Sequence, residues 1–294
     1  MAAADELGVT ASALSYQIRQ LETALGMKLF NRLNRAVELT SAGELLAPAV
    51  IEAFDNLERG FAQLNPDTDD RTLVVSTGPA FSAKWLAPRL HWFLEDYPDL
   101  DFRLSASLKI VDFIADGVHA AIRFGRTDYP DLYVEPLFDE VSLPLIAPSL
   151  FEQAGGKADE SLFGRVSLLH DDSIAAMSGD VWQQWLRAAN YISVDASRGS
   201  RFSHADHCIE AAVDGAGIAM GRLALAFRDI EAGRLIAPFD LAVRPHGAFS
   251  FCCPKSALDI PRVLNFLAWL RDEADEQAKK SAAFLEPIRI VNAT

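Results

Sequence analysis

Apolar residues near the N-terminus recur at helical spacing. Four of them are separated by four, three and four positions: Leu14, Ile18, Leu21 and Leu25. This spacing places them in one stripe and predicts a helix with one buried face. Thr10 can cap the helix because its hydroxyl accepts from an early backbone N–H, and Gly26 is favoured just beyond a helix end. We therefore expect a helix between these two residues.

Polar residues occupy the opposite face of this helix. Most are short, and they donate and accept hydrogen bonds: Ser12, Ser15, Tyr16, Gln17, Arg19 and Gln20. A helix that lies in the major groove of DNA needs such a face. Two short extended segments around Asn34 would then place Arg32 and Arg35 on a wing suited to phosphate contacts. A solvated helix face is the alternative.

A second helical pattern begins at residue 41. Ser41 and Glu44 match the S-x-x-E capping box. The pattern continues with alternating spacings of three and four positions: Ala47, Val50, Phe54, Leu57, Phe61 and Leu64. Such an a/d pattern favours pairing with a helix of a second subunit, and packing on the helix's own domain is the alternative. Pro48 predicts a kink near the helix start.

Residues 65–71, NPDTDDR, are polar and predict a domain boundary. The pattern of apolar residues changes after this segment. Strand-like runs such as TLVVST, LDFRLSA and AAIRFG then alternate with helical patterns. This alternation is typical of α/β architecture. A last amphipathic helix, IPRVLNFLAWLRDEA, precedes a segment that we expect to be loose from about residue 276, although FLEPIRIV could dock on the body.

Charge restricts where nucleic acid can bind. The 294 residues carry a formal net charge of −14, from 27 basic and 41 acidic residues. A field of that sign repels nucleic acid and anionic membranes, so DNA binding has to be local. Residues 8–35 contain four basic residues and one acidic residue, which gives this early stretch a positive balance.

Composition excludes some classes of protein. The chain contains no run of 18 apolar residues and no basic patch followed by an apolar core, so we expect neither a transmembrane helix nor a signal peptide. The three cysteines are an odd number, and Cys252 and Cys253 are adjacent in an apolar run. Buried reduced thiols, as in a cytoplasmic protein, are the expectation.

Several ordered motifs resemble those of one family. AADELGVTASALSYQIRQLETALGMKLFNR followed by LTSAGELL is similar to the winged helix-turn-helix of LysR-type transcriptional regulators. The resemblance extends to about residue 273 through PAFSAKWLAPRLHWFLEDYPDLDFRLSA, DGVHAAIRFG, LLHDDS, IEAAVDGAGIAMGR and AGRLIAPFD. These segments resemble the subgroup that contains glycine-cleavage activators and β-lactamase regulators.

The resemblance implies a multi-domain α/β protein whose parts have these bounds: a DNA-binding domain at 1–40, a dimerisation helix at 41–64, an effector-binding domain at 71–275 and a tail at 276–294. The effector domain would resemble periplasmic binding proteins, with lobe I at about 71–140 plus 254–275 and lobe II at about 141–253. A ligand cleft would lie between the lobes. The implied partners are promoter DNA, a small-molecule effector that can be anionic, and copies of the chain in a homodimer or homotetramer.

The family's DNA contacts can be carried over by position. The base-contacting residues would be Thr10, Ser12, Ala13, Tyr16, Gln17 and Gln20, with Arg19, Arg32 and Arg35 on phosphates. The sequence departs from the family at Tyr16, where many members carry a basic residue. It also departs at the start, because the family's domain has a full helix, ending in Ser-Phe, before the A-A-x-x-L segment.

In the family that helix would cover Leu7, Leu14 and Ile18. We therefore expect a natural start upstream of Met1. The alternative is a truncated effector-sensing protein that binds a metabolite but not DNA.

Two segments supply candidate walls for the effector cleft. In STGPAFSAKW, backbone N–H groups with the hydroxyls of Thr77 and Ser82 suit an anion, and in GSRFSHADH, Ser203 lies near a helix start. Simple helix capping is the alternative. The full candidate set is Thr77, Ala80, Phe81, Ser82, Ser107, Arg123, His170, Phe202 and Ser203. For Ser107, Arg123 and His170 a structural role is equally expected. His119 stands where the family often has an acidic residue, a change that would alter the cleft.

Enzymatic interpretations are weaker. His204, His207 and Cys208 share a helical face but suggest no fourth metal ligand. The glycines of DGAGIAMG have the wrong spacing for a dinucleotide loop and precede a strand instead of following one. A triad of Ser173, His170 and Asp171 would need near neighbours on a strand to converge. We expect no enzyme, no metal and no cofactor.

Overall fold

The computed structural model describes residues 3–4, 8–32, 37–64, 71–125, 129–173 and 180–292. The chain divides into two compact units, Met1–Pro66 and Asp67–Thr294. The described part of the first unit includes helix α1 (Ala11–Leu25), strands β1 (Phe30–Arg32) and β2 (Val37–Leu39), and helix α2 (Ser41–Leu64).

The predicted ends of α1 are confirmed. The Thr10 hydroxyl accepts from the backbone N–H of Ala13 at 3.2 Å. At the other end Gly26 has a φ of 69°, and its N–H is directed to the carbonyls of Glu22 and Thr23. A residue with a side chain would be strained in this left-handed conformation, which is why glycine ends the helix.

The predicted buried stripe of α1 is wrong in its second half. Leu14 and Ile18 are half-buried, but Leu21 and Leu25 are 46% and 43% exposed. The buried residue in the last turns is Glu22, whose Oε1 accepts from the backbone N–H groups of Leu29 and Phe30 at 2.9 and 3.2 Å. A carboxylate in this position satisfies two backbone donors that burial would otherwise leave unpaired.

The wing is a two-stranded antiparallel sheet in which Arg32 pairs with Val37. The helix after it is capped differently from the prediction. Thr40 is the cap, since its Oγ1 accepts from the Gly43 N–H at 3.1 Å, and Ser41 is the first helical residue. The same hydroxyl donates to the Lys28 carbonyl at 2.6 Å, which fixes the helix start to the turn that precedes β1.

The second unit contains two lobes with one mixed sheet each. Its strands are β3 (Thr72–Thr77), β4 (Asp101–Ala106), β5 (Ala120–Gly125), β6 (Leu132–Phe138), β7 (Ser142–Leu145), β8 (Leu168–Asp171), β9 (Ser200–Phe202), β10 (Ile218–Arg222), β11 (Leu241–Arg244), β12 (Ala248–Pro254) and β13 (Arg289–Asn292). The sheet of lobe I has the order β4-β3-β5-β12-β6, and that of lobe II has the order β13-β11-β7-β10-β8-β9.

Helices cover these sheets. They are α3 (Pro79–Phe81), a π-helical segment (Ser82–Leu86) that continues into α4 (Ala87–Asp96), α5 (Pro148–Gln153), α6 (Val181–Ala188), α7 (Ala205–Val213), α8 (Leu223–Glu231) and α9 (Pro261–Leu285), with short 3₁₀ turns at Glu160–Gly164 and Lys255–Asp259. The predicted α/β architecture is confirmed by this alternation.

Two predicted boundaries need correction. Lobe II was expected to reach residue 253, but β12 pairs with β5 and β6, so Ala248–Pro254 belongs to the sheet of lobe I. The segment from residue 276 was expected to be loose, but α9 continues to Leu285. The alternative that FLEPIRIV docks on the body is confirmed, because β13 pairs in parallel with β11. The C-terminal helix thus begins on lobe I and its following strand completes the sheet of lobe II.

Candidate ligand and DNA sites

A cavity of about 870 Å³ lies between the two lobes. Lobe I contributes Phe81, Phe124 and Phe249 to its wall, and lobe II contributes His204 and Arg222. The aromatic residues form one cluster, since the ring centroids of Phe81 and Phe249 are 4.9 Å apart and those of Phe124 and Phe249 are 5.0 Å apart. Cavities of this size and largely apolar lining bind small organic molecules.

Three of the nine candidate effector residues line this cavity: Ala80, Phe81 and Arg123. Thr77 and Ser82 lie beside it but are buried. The Thr77 hydroxyl donates to the Gly78 carbonyl at 3.1 Å, and the Ser82 N–H donates to the same carbonyl at 2.9 Å. These two hydrogen bonds stabilise the strand-to-helix connection, so the Thr77 hydroxyl and the Ser82 N–H are already engaged.

The other four candidates are also outside the described lining, each for a local reason. Ser107 uses its Oγ to accept from the Lys109 N–H at 3.2 Å. His170 is buried in β8, and its Nε2 lies 2.8 Å from the Arg198 carbonyl, to which it donates. Phe202 and Ser203 precede α7, and the next residue, His204, reaches the cavity in their place.

The lining carries more positive than negative charge. Lys109, Arg123 and Arg222 are the cationic residues of its described part, and Asp112 is the acidic one. Arg123 is held by hydrogen bonds to the Ser76 hydroxyl and the Ile122 carbonyl at 2.7 and 3.1 Å. Burial lowers the pKa of Arg123, although the group stays protonated at neutral pH. A negatively charged ligand therefore fits the cavity even in a chain whose net charge is −14.

Sequence reasoning missed Arg222, Phe124 and Phe249. Arg222 and Phe124 each lie at the carboxyl end of a strand, where ligands bind in open α/β sheets. The apolar run FSFCCP was assigned to lobe II, so Phe249 was not considered as part of a wall in lobe I. The apolar run GIAMG directly before Arg222 predicts a buried strand that ends there, and it was the sequence signal that could have found this residue.

His119 does not belong to the described lining. Its Nδ1 accepts from the Val74 N–H at 3.0 Å, and its own N–H donates to the Val74 carbonyl at 2.9 Å. Burial, and next the Arg262 guanidinium, lower the pKa of His119. The neutral imidazole thus fixes the start of β5 against β3.

Charged side chains also connect the lobes away from the cavity. Lys84, in the π-helical segment of lobe I, is bound by Asp229 of α8 at 3.1 Å and by Glu210 of α7. Glu140, between β6 and β7, accepts from the N–H groups of Val141 and Ala224 at 3.0 and 3.1 Å. Burial raises the pKa of Glu140 to about 7.

The candidate DNA-contacting face of α1 is exposed. Its described residues are Thr10, Ser12, Ala13, Tyr16, Gln17, Arg19 and Gln20. Gln20 Nε2 donates to the Tyr16 hydroxyl at 2.7 Å, and Arg19 Nε donates to the Ser15 carbonyl at 3.1 Å. Arg32 is placed in β1 by its backbone, and Arg35 lies outside the described residues.

The residues considered for catalysis or metal binding have other roles. The Ser173 hydroxyl donates to Asp171 Oδ1, while His170 is directed to the Arg198 carbonyl. These three side chains therefore do not form a nucleophilic relay. Within the described ranges, no group of three or more His, Cys, Asp or Glu side chains could hold a metal ion. The three cysteines are buried free thiols.

Two family models match the chain. The bacterial regulatory helix-turn-helix protein model of the lysR family matches residues 1–44, and the LysR substrate binding domain model matches residues 66–275. The glycine cleavage system transcriptional activator of Escherichia coli (strain K12) is 35% identical over 279 residues, covering 95% of this chain and 90% of the relative. The transcriptional activator AmpR of Citrobacter koseri is 29% identical over 242 residues, which cover 82% of each chain.

Solved structures agree with this assignment. The effector domain of AmpR of Pseudomonas aeruginosa has a TM-score of 0.58 and 27% identity, covering 71% of this chain and 98% of that one. CrgA from Neisseria meningitidis, at 22% identity, shows the same fold with a TM-score of 0.53 over 92% of both chains.

The helix-turn-helix and the two-lobed unit define a DNA-binding regulator with an effector-binding domain. The chain belongs to the LysR family of transcriptional regulators. In the described part of the chain, no helix is both long and apolar enough to cross a membrane.

Proposed function

We propose that this regulator binds its effector in the cavity between lobes I and II, and that occupancy changes transcription from a promoter to which the N-terminal unit binds. The observation that carries the proposal is the composition of the cavity wall, because Phe249 of lobe I and Arg222 of lobe II both line the cavity of about 870 Å³. A ligand that contacts both lobes stabilises one relative orientation over others.

We propose that α1 reads the operator with Tyr16, Gln17 and Gln20, while Arg19 contacts phosphate. The exposure of all four residues supports this assignment. Amide and phenol groups at these positions can hydrogen-bond to base edges in the major groove. Arg32, in β1, and Arg35 remain candidate phosphate contacts.

We further propose that α2 pairs with α2 of a second copy in a homodimer, which could assemble into a homotetramer. Three large apolar side chains on one side of this helix are more than half exposed: Ile51, Phe54 and Leu57. An exposed apolar stripe of this kind is typical of a helix that is covered by a partner. The buried free thiols support a cytoplasmic protein.

A cavity-filling variant tests the effector proposal. Ala80 lines the cavity, so Ala80→Trp should occupy it, whereas Ala232→Trp alters an exposed position of lobe II. Reporter expression from the promoter next to the gene would be measured across growth media. We expect Ala80→Trp to lose medium-dependent regulation while gel shifts show unchanged DNA binding. Regulation that persists in this variant would place the effector elsewhere.

A further inference from the structure

Arg222 ends strand β10 of lobe II, and its guanidinium lies against aromatic rings of lobe I. Its Cζ atom is 5.2 Å from the ring centroid of Phe124 and 5.6 Å from that of Phe249. The side chain is 7% exposed and forms part of the cavity wall. This cation–π contact therefore crosses the cleft at the place where an effector would bind.

The polar contacts of Arg222 are incomplete. Nη2 donates to the Ser173 hydroxyl at 3.3 Å and lies 3.4 Å from Asp171 Oδ2. The buried Nε of Arg222 and the buried Oδ2 of Asp171 have no hydrogen-bond partner among the described residues. A guanidinium has five N–H donors in a planar fork, and buried donors are normally paired. Arg222 therefore keeps donor capacity that a ligand in the cavity can use.

The rest of the wall indicates the kind of molecule that would use it. Phe81, Phe124 and Phe249 line the cavity with aromatic rings, of which that of Phe124 is half-buried and the other two are buried. Ile110 and Ile114, on the loop that borders the cavity, are 94% and 74% exposed, and an apolar ligand would cover them. A planar carboxylate matches the guanidinium fork by two parallel hydrogen bonds.

We propose that Arg222 binds the carboxylate of an organic acid whose apolar body packs on the three phenylalanines of lobe I, and that Asp171 competes with this carboxylate for the guanidinium. This inference rests on the proposed function of the cavity. An acid bound in this way contacts lobe II through its charge and lobe I through its apolar body, which couples binding to the orientation of the lobes.

The test uses the full chain, isothermal titration calorimetry and three probes: 3-phenylpropanoate, its neutral amide and acetate. We expect the wild type to bind 3-phenylpropanoate at least about tenfold more tightly than the amide, and acetate more weakly than both. Arg222→Gln should reduce the carboxylate preference to about twofold or less. Arg187→Gln, an exposed arginine of α6, is the matched control and should behave as the wild type.

The variant Asp171→Asn tests the competition directly. If Arg222 had only a structural role, this substitution would not change the affinity for the carboxylate. Asparagine keeps the acceptor for Ser173 but removes the competing charge, so this variant should bind 3-phenylpropanoate about three- to tenfold more tightly and leave the amide unchanged. Arg222→Lys keeps the charge without the planar fork, and it should retain part of the preference if Arg222→Gln fails to fold.

Three results would overturn the inference: a wild type without carboxylate preference, a folded Arg222→Gln that retains it, or an unchanged affinity of Asp171→Asn. These outcomes are separable from failure of the proposed function. If Ala80→Trp abolishes binding of the probes while Arg222→Gln does not alter it, the cavity is the ligand site and the role of Arg222 is rejected.

Discussion

Arg89 of α4 and Gln277 of α9 are joined by a buried hydrogen bond of 2.8 Å between Arg89 Nη2 and Gln277 Oε1. The same glutamine donates through Nε2 to the Ala224 carbonyl of α8 at 3.0 Å. Gln277 therefore connects a helix of lobe I with a helix of lobe II. This role gives the C-terminal segment a structural importance that its polar sequence does not indicate.

Replacing Gln277 by alanine should lower the free energy of unfolding of the effector unit by about 2 kcal/mol, because the Arg89 guanidinium and the Ala224 carbonyl each lose one hydrogen bond. Urea titrations followed by tryptophan fluorescence would measure this, since all five tryptophans lie beyond residue 84. Gln153→Ala, at an exposed position of α5, is the control and should change stability by less than about 0.5 kcal/mol. Equal effects would mean that the bridge does not stabilise the unit.

Glu140 should make the stability of the effector unit depend on pH. Burial raises the pKa of this carboxyl to about 7 in the folded state, against 4.5 for an unperturbed group. Between these values the folded state keeps a proton that the unfolded state has lost. The stabilisation is fully present below about pH 4.5 and is lost as the pH rises through about 7, a difference of roughly 3 kcal/mol.

The variant Glu140→Gln should remove this contribution because its amide does not titrate. Urea midpoints would be measured for both proteins at pH 5 and pH 8, and the wild type should lose more stability than the variant over this interval. Glu95→Gln, at an exposed position of α4, should follow the wild type. Parallel pH dependence in wild type and Glu140→Gln would show that Glu140 is ionised throughout.

The sequence pattern was sufficient to predict the helix α1 but not all the contacts that its residues make. The cap at Thr10 and the glycine at residue 26 are local features, and both were predicted correctly. Glu22 was not recognised as buried, because the donors that it satisfies come from Leu29 and Phe30 after the turn. The local spacing of apolar residues predicts the helix. The burial of the Glu22 carboxylate depends instead on where the chain after the helix folds back.

The cavity shows the same difference between local features, which the sequence predicts, and contacts between distant residues, which it does not. Phe124 and Phe249 are 125 positions apart in sequence number and become neighbours because β5 and β12 pair. Thr77 and Ser107 were candidates because their side chains are polar, yet hydrogen bonds to backbone groups engage both hydroxyls. Sequence motifs locate the lobes, and the pairing of distant strands decides which side chains line the cleft.

Substitutions in α1 should separate base reading from phosphate contact. Gln17→Ala should weaken operator binding by about 1–3 kcal/mol and leave binding to unrelated DNA unchanged, because the lost contact is to a base edge. Arg19→Ala should weaken binding to all sequences and reduce the magnitude of the salt slope by about one unit. Gel shifts at several salt concentrations would measure both, and a uniform loss for Gln17→Ala would contradict its assignment to a base.

The exposed face of α2 predicts the effect of one substitution on assembly. Phe54 is 63% exposed, and covering a side chain of this size in a partner helix contributes about 1.5–3 kcal/mol. Because a symmetric dimer contains the residue twice, Phe54→Glu should raise the dissociation constant by at least about a hundredfold. Sedimentation velocity over a range of concentrations would show dissociation to monomers. Ala49→Glu, at an exposed position between the pattern residues Ala47 and Val50 but on another face of the helix, should sediment as the wild type does. An unchanged assembly of Phe54→Glu would locate the subunit contact outside α2.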